Sequence, residues 1–311
     1  MSYKYGLKVF APASVANVAV GYDILGFALE TLGDEVIVRE GSKPGLHIKR
    51  IYSNKGLSKN INKNTAGFAA QKLLESLGLE DEPIEMDLFK NMEIGTGLGS
   101  SAASAVAGAF GVNAYLDYPY TKAEILKFAT QGEEIADGSF HADNVAPSLL
   151  GGFVLIRDNE TLDWSKIMCP IGLRCVIIHP QVKILTKDSR AILKENVSLQ
   201  DMIKQSGNLG SFVAAMYKSD FEMIRRSMHD HIIEAQRAHL IPEFYKLKEM
   251  AMNADALGFS ISGAGPSMFA LCNNSFKAEN IMEGAIQIYK DAGIECNVFI
   301  SNINHEGAKK C

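Results

Sequence analysis

Residues 93–104 read Glu-Ile-Gly-Thr-Gly-Leu-Gly-Ser-Ser-Ala-Ala-Ser, and this stretch limits what the chain can fold into more than any other. Glycines alternate at Gly95, Gly97 and Gly99, and a proline-free run rich in Ala and Gly follows from Ser100 to about Leu116. Glycine takes positive φ at little cost and lets a ligand come close to the main chain. Serine is a favoured residue at a helix start. The stretch therefore predicts a loop feeding a helix N-terminus. Unpaired N–H groups and the positive dipole end at such a point receive an anion such as phosphate. Alternation at Ile84, Met86 and Leu88 predicts a strand just before the loop.

The common nucleotide loops do not fit. No lysine follows Gly99, as a Walker A loop requires, and the G-x-G-x-G spacing departs from the G-x-G-x-x-G of dinucleotide-binding folds. The H-R-D and D-F-G elements of protein kinases are absent from the sequence.

At 311 residues the chain is long enough for two domains. A net charge of −5 supplies no basic footprint for nucleic acid, so an anionic ligand must be met by local N–H groups, a metal and a few Arg or Lys. Five scattered cysteines without a C-x-x-C spacing predict reduced thiols, and no window reaches transmembrane length. These features together predict a soluble cytoplasmic protein without nucleic-acid or membrane partners.

In chain order, a strand is expected at 5–10, with Pro12 barring its regular continuation. Asn17 and Asp23 follow among small and apolar neighbours and read locally as turn formers. Strands are expected at 35–39 and 46–51, and a helix at 66–77, capped by Asn64-Thr65 and stopped by Gly78. Another helix runs from Lys122 to about Asp137 behind Thr121 and carries Glu133-Glu134. His141-Ala142-Asp143-Asn144-Val145-Ala146-Pro147 then crowds polar groups against an apolar, glycine-bearing stretch and a strand at 153–156. Polar composition between Asp158 and Pro170 marks a domain boundary, giving domains 1–164 and 165–311. The second half reads as a strand at 173–178, helices from Thr186, at 199–216, 221–238 and 241–256, and two strands hinged on Gly263-Ala264-Gly265-Pro266. A helix at 280–291 and a strand at 295–300 complete an α+β two-layer pattern.

Three separated segments, Pro12 to Asn17, Gly95 to Ala102 and Ser262 to Ser267, resemble the three ordered motifs of the GHMP kinases. That resemblance covers the whole chain. It implies an α+β fold in two parts: an N-terminal α/β domain with a left-handed crossover and a C-terminal ferredoxin-like sandwich. An ATP–Mg²⁺ site would lie between them. His141 to Pro147 with Leu150-Gly151-Gly152 is similar to the branch whose acceptor is the amino acid homoserine. Mevalonate-type members carry a lysine at the place held here by Ser14 and a catalytic aspartate near the position of Asn144, and both departures argue against a mevalonate-type mechanism.

The resemblance implies transfer of phosphate from ATP to the L-homoserine hydroxyl, making O-phospho-L-homoserine for threonine synthesis. Glu93, Ile94, Gly95, Thr96, Gly97, Leu98, Gly99, Ser100, Ser101, Ala102, Ala103 and Gly263 would hold ATP. Ser101 and Glu133 would hold Mg²⁺, with Glu134 the alternative. Asn17, Asp23, Asn144, Thr186, Arg190 and Arg237 would bind the acceptor. Its ammonium suits Asp23 and its carboxylate suits the guanidinium groups. Asn144, Asp143, His141 and Ser101 would form the catalytic group, acting by in-line transfer without a strong protein base; a base role for Asp143 stays open. Family members are commonly dimers, so a homodimer is expected. Another GHMP small-molecule kinase, or a non-catalytic binding relative, are the alternatives.

Overall fold

The computed structural model describes residues 6–138, 140–184 and 186–311, without the side chains of Asp137, Thr186 and Lys187. The first sheet is built on a long hairpin. Strand β1 (Leu7–Ala16) pairs antiparallel with β2 (Leu25–Glu40), and their register shifts between Pro12 and Ser14. Pro12 therefore interrupts the regular pairing but does not end the strand, and the chain stays extended up to the residue before Asn17. Next come β3 (Leu46–Tyr52), α1 (Thr65–Leu77) and β4 (Ile84–Phe89), with β3 and β4 parallel across the α1 crossover. Helix α1 is bounded as its sequence predicts: the Asn64 side chain accepts from the Gly67 N–H, and Gly78 is left-handed at φ 67°.

Helix α2 (Ser100–Tyr115) is almost wholly buried. Its small residues permit close approach to α1: a Cβ added at Gly108 would lie 2.1 Å from the Ala66 carbonyl oxygen. Helix α3 (Lys122–Asp137) opens with a capping box between Thr121 and Glu124. A short α4 (Val145–Leu150) follows the polar cluster at 141–144, where the sequence pattern gave no helix, and leads into β5 (Phe153–Asp158) and β6 (Asp163–Ile167). The β5–β6 hairpin extends the first sheet from β2, so the boundary expected at 164/165 falls inside β6.

The second sheet begins with β7 (Arg174–Pro180), followed by α5 (Thr186–Ala191), α6 (Leu199–Lys218), α7 (Phe221–Ser227), α8 (Glu234–Arg237) and α9 (Phe244–Asn253). The one helix expected over 221–238 is two. Between them the Asp230 carboxylate accepts the N–H groups of Ile232, Ile233 and Glu234 and starts α8 afresh. Strands β8 (Gly258–Ile261) and β9 (Met268–Cys272), helix α10 (Ser275–Asp291) and β10 (Cys296–Asn302) complete this unit. The antiparallel order β10-β7-β9-β8, with βαββαβ connectivity, is the ferredoxin-like arrangement. A final short strand, β11 (Lys309–Lys310), returns to the edge of the first sheet beside β1.

Alternation along β7 divides the interior. Val176 and Ile178 face α9 and α10, whereas Cys175 and Ile177 join the core of the first sheet. Phe27 of β2 stacks on Phe153 at 4.6 Å and meets Phe269 of β9 edge-on at 6.0 Å. One apolar core thus binds the two sheets, and the polar segments 14–23, 93–101 and 262–267 are gathered at their junction. Among the described residues no helix is long and apolar enough to cross a membrane.

Candidate active site

The glycine loop is held from two sides. From β1, the Ser14 N–H donates to the Leu98 carbonyl at 3.1 Å. From the turn between β8 and β9, Ser262 Oγ donates to the Gly97 carbonyl at 2.6 Å and the Ser267 N–H to the Thr96 carbonyl at 3.1 Å. All three sequence motifs therefore meet in one place. Contact is close enough that a Cβ on Gly97 (φ 78°) would lie 2.5 Å from the Ser262 carbonyl oxygen. Gly99, at φ 63°, turns the chain into α2, and no side chain caps the helix there. The first N–H groups of α2 are thus left for a ligand. Ala102 and Ala103 are fully buried, and the Ala103 N–H already donates to the Gly99 carbonyl at 2.9 Å. Ile94 is 40% exposed at the loop's outer edge.

Below the loop lies a buried ion pair that sequence reasoning missed. Lys90, at the end of β4, donates to Asp34 of β2 at 2.5 Å, to Ser104 Oγ at 2.9 Å and to the Ser100 carbonyl. The other Asp34 oxygen accepts the N–H groups of Asn91 and Met92. One carboxylate so braces both the entry to the loop and the first turns of α2. Asp34 and Lys90 lie 56 residues apart and carry no shared local pattern that would have paired them.

Beside the helix start, Ser101 Oγ donates to Glu133 Oε1 at 2.8 Å. Glu133 is 8% exposed and faces inward from α3, whereas Glu134 points outward. On the other side of the loop, Ser14 Oγ donates to Asn144 Oδ1 at 2.8 Å, and both atoms crowd the position a Gly99 Cβ would take. Asp143 is 4% exposed. Burial above all, then the charge of Asp23, pushes its carboxyl up to about 7, against the pull of Arg190.

A cluster of opposite charges forms around residues 17–23. Asn17, left-handed at φ 71°, accepts the Asp23 N–H and donates to the Gly263 carbonyl at 2.9 Å. The local expectation of a turn former holds here, and the same side chain ties the first motif to the third. Asp23 meets Arg190 through two bonds, at 3.0 and 3.1 Å, and lies 3.6 Å from His141 Nε2. Arg237 is 2% exposed and donates to the carbonyls of Ser189 and Gly263 and to the Tyr22 hydroxyl. Burial holds its guanidinium below its usual range, an effect that Tyr22 opposes. Tyr22 also escaped sequence reasoning, because an aromatic residue beside an aspartate looks like packing. The side chain of Thr186 lies outside the described residues.

An uncapped helix start behind a glycine loop, a neighbouring hydroxyl–carboxylate pair and a cluster of opposite charges meet at the junction of these two sheets, the arrangement of a small-molecule kinase. Comparisons narrow the class. The family description "GHMP kinases N terminal domain" matches residues 64–152, and "GHMP kinases C terminal" matches 212–291. Homoserine kinase of Chloroherpeton thalassium is 41% identical over 96% of this chain and 98% of its own length. That of Xylella fastidiosa strain M12 is 36% identical over 97% and 93%. A crystal structure of homoserine kinase from Cytophaga hutchinsonii superposes with a TM-score of 0.96 at 45% identity, covering 100% of this chain and 99% of that one. L. major mevalonate kinase, at 17% identity and a TM-score of 0.70 over 95% and 96% of the two chains, shares the fold alone. The chain belongs to the homoserine kinase branch of the GHMP kinase family.

Proposed function

We propose that the cleft carries the γ-phosphoryl group of ATP directly to the primary hydroxyl of L-homoserine, giving O-phospho-L-homoserine for threonine synthesis. The observation that carries this reading is the position of Asn144. It hydrogen-bonds Ser14 against Gly99 of the phosphate loop and follows Asp143, whose carboxyl feels the charges of both Asp23 and Glu133. A hydroxyl held by Asn144 would lie between the phosphate cradle and the charged acceptor cluster.

Phosphoryl transfer through a loose transition state asks chiefly for alignment and charge stabilisation. The loop N–H groups and the start of α2 take phosphate charge. Arg190 and Arg237 receive the acceptor carboxylate, Asp23 its ammonium, and Asn17 fixes the turn that carries Asp23. Thr186 is assigned to the acceptor by resemblance only. His141 and Asp143 wall the acceptor side. A carboxyl pushed up to about 7 is matched to proton transfer near neutral pH, so the base role of Asp143 stays open, although in-line transfer through a loose transition state does not require it.

Ser101 and Glu133 place a hydroxyl beside a carboxylate, a donor set that suits Mg²⁺, which keeps several waters and phosphate oxygens for itself. Bound there, the ion would neutralise phosphate charge. Family resemblance adds the expectation of a homodimer, testable by sedimentation; the scattered cysteines add that of a cytoplasmic protein, and a division into two domains would fall after β6 rather than at 164/165.

The direct test is ADP release from Mg-ATP with L-homoserine, D-homoserine, L-serine, mevalonate and galactose. Turnover with L-homoserine alone is expected. ADP release only with a different acceptor would overturn the substrate assignment.

A further inference from the structure

Two guanidinium groups share one phenol. The Arg190 and Arg237 guanidinium carbons lie 5.9 and 5.1 Å from the Tyr22 ring centroid. Arg190 Nη1 and Arg237 Nη2 each donate to the Tyr22 hydroxyl oxygen at 3.3 Å. Cations so near each other repel, and an aromatic face with a shared acceptor oxygen offsets part of that repulsion and sets their spacing. Their charges are answered unequally. Asp23 pairs with Arg190, while Arg237, almost wholly buried, has no carboxylate within 4 Å among the described residues. A buried guanidinium so placed calls for an anion.

We propose that the Tyr22 hydroxyl is a positioning and specificity-determining group. It holds Arg190 and Arg237 as one fork for the acceptor's carboxylate, so the site selects amino-acid alcohols over alcohols that lack the carboxylate. This rests on the reading of the two arginines as the carboxylate site. The ring alone separates the cations; the hydroxyl adds direction, because both forks aim at the same oxygen. Tyr22 itself need not touch the substrate.

The test is Tyr22→Phe, which keeps the ring and removes the oxygen. KM values are measured for ATP, L-homoserine and 3-aminopropan-1-ol, the homoserine analogue with hydrogen in place of the carboxylate. KM for L-homoserine should rise about three- to tenfold, the net worth of an ordinary hydrogen bond. KM for ATP and kcat/KM for the amino alcohol should stay unchanged, so discrimination between the two acceptors narrows by the same factor. Equal losses on both acceptors, or a parallel loss on ATP, would show general damage and overturn the proposal. Unchanged kinetics throughout would overturn it too. Arg190→Ala, measured alongside, separates the layers. If it weakens L-homoserine while Tyr22→Phe does not, the hydroxyl has no such role and the carboxylate reading stands. If Arg190→Ala spares L-homoserine, the carboxylate reading fails and the Tyr22 proposal falls with it.

Discussion

Asp23 and Arg190, 167 residues apart, face each other through two parallel bonds, Nη1 to Oδ2 at 3.0 Å and Nη2 to Oδ1 at 3.1 Å. The pair brings the first motif against helix α5 and holds the two charges assigned to opposite ends of a zwitterion. Each orients the other, and under the proposed reading the acceptor's own carboxylate and ammonium would divide them.

Arg190→Ala removes the exposed half of the fork and strands Asp23. KM for L-homoserine should rise about tenfold to a hundredfold, the span of one to two charge-assisted hydrogen bonds, with KM for ATP little changed. Steady-state kinetics with each substrate varied in turn would check it; a rise confined to ATP would contradict the assignment.

Glu133→Gln keeps the Ser101 hydrogen bond possible but lowers the charge offered to a cation. Half-maximal activity should require about 10–100 times more Mg²⁺, the scale on which metal sites lose affinity when a supporting group is changed. Titration of activity against free Mg²⁺ reads this out. An unchanged midpoint, or a shift found only in Glu134→Gln, would move the ligand elsewhere.

Gly97→Ala sets a Cβ against the Ser262 carbonyl at 2.5 Å in a left-handed backbone. The left-handed conformation alone costs roughly 1–2 kcal/mol, and the contact must also push the β8–β9 turn off the loop. KM for ATP should rise more than KM for L-homoserine. Equal affinity for ATP in variant and wild type, by calorimetry, would show that the loop does not cradle the nucleotide.

Asp143 governs a pH dependence of stability. Its folded value of about 7 lies above the ordinary 3.8, so folding favours the protonated acid. That contribution is complete below about pH 4, is lost as pH rises towards 7, and changes no further above it. Asp143→Asn cannot ionise, so its melting temperature relative to wild type should climb from about pH 5 to about pH 8. Parallel melting curves across that range would contradict the assignment.

Lys90→Met leaves Asp34 charged and buried. The loss should be about 3–5 kcal/mol of folding stability, read from denaturant melts. Adding Asp34→Asn should recover part of it, and a double variant no more stable than Lys90→Met would argue against a paired charge.

Much of the site was written locally. Alternating glycines before a small-residue run fixed the loop and the start of α2, because glycine alone takes positive φ cheaply and only small side chains let α1 and α2 meet at Gly108. Asn64 and Gly78 bounded α1, and Thr121 opened α3, since caps act within four residues of their helix. The polar crowd at 141–144 stood out against its apolar neighbours, and Arg190 and Arg237 were named from motif resemblance. Short-range pattern also misled: periodicity over 221–238 hid the break at Asp230, where one carboxylate outcompetes the helix for three N–H groups. Two-residue β11 and the β5–β6 extension depend on partners far away in sequence and left no periodic mark. Tertiary structure alone decided which of Glu133 and Glu134 faces Ser101, that Lys90 answers Asp34, and that Tyr22 stands beneath both guanidinium groups. Those choices are made by burial. A charge taken out of water must find its counterpart in space, and neither its neighbours in the chain nor its residue type names that counterpart.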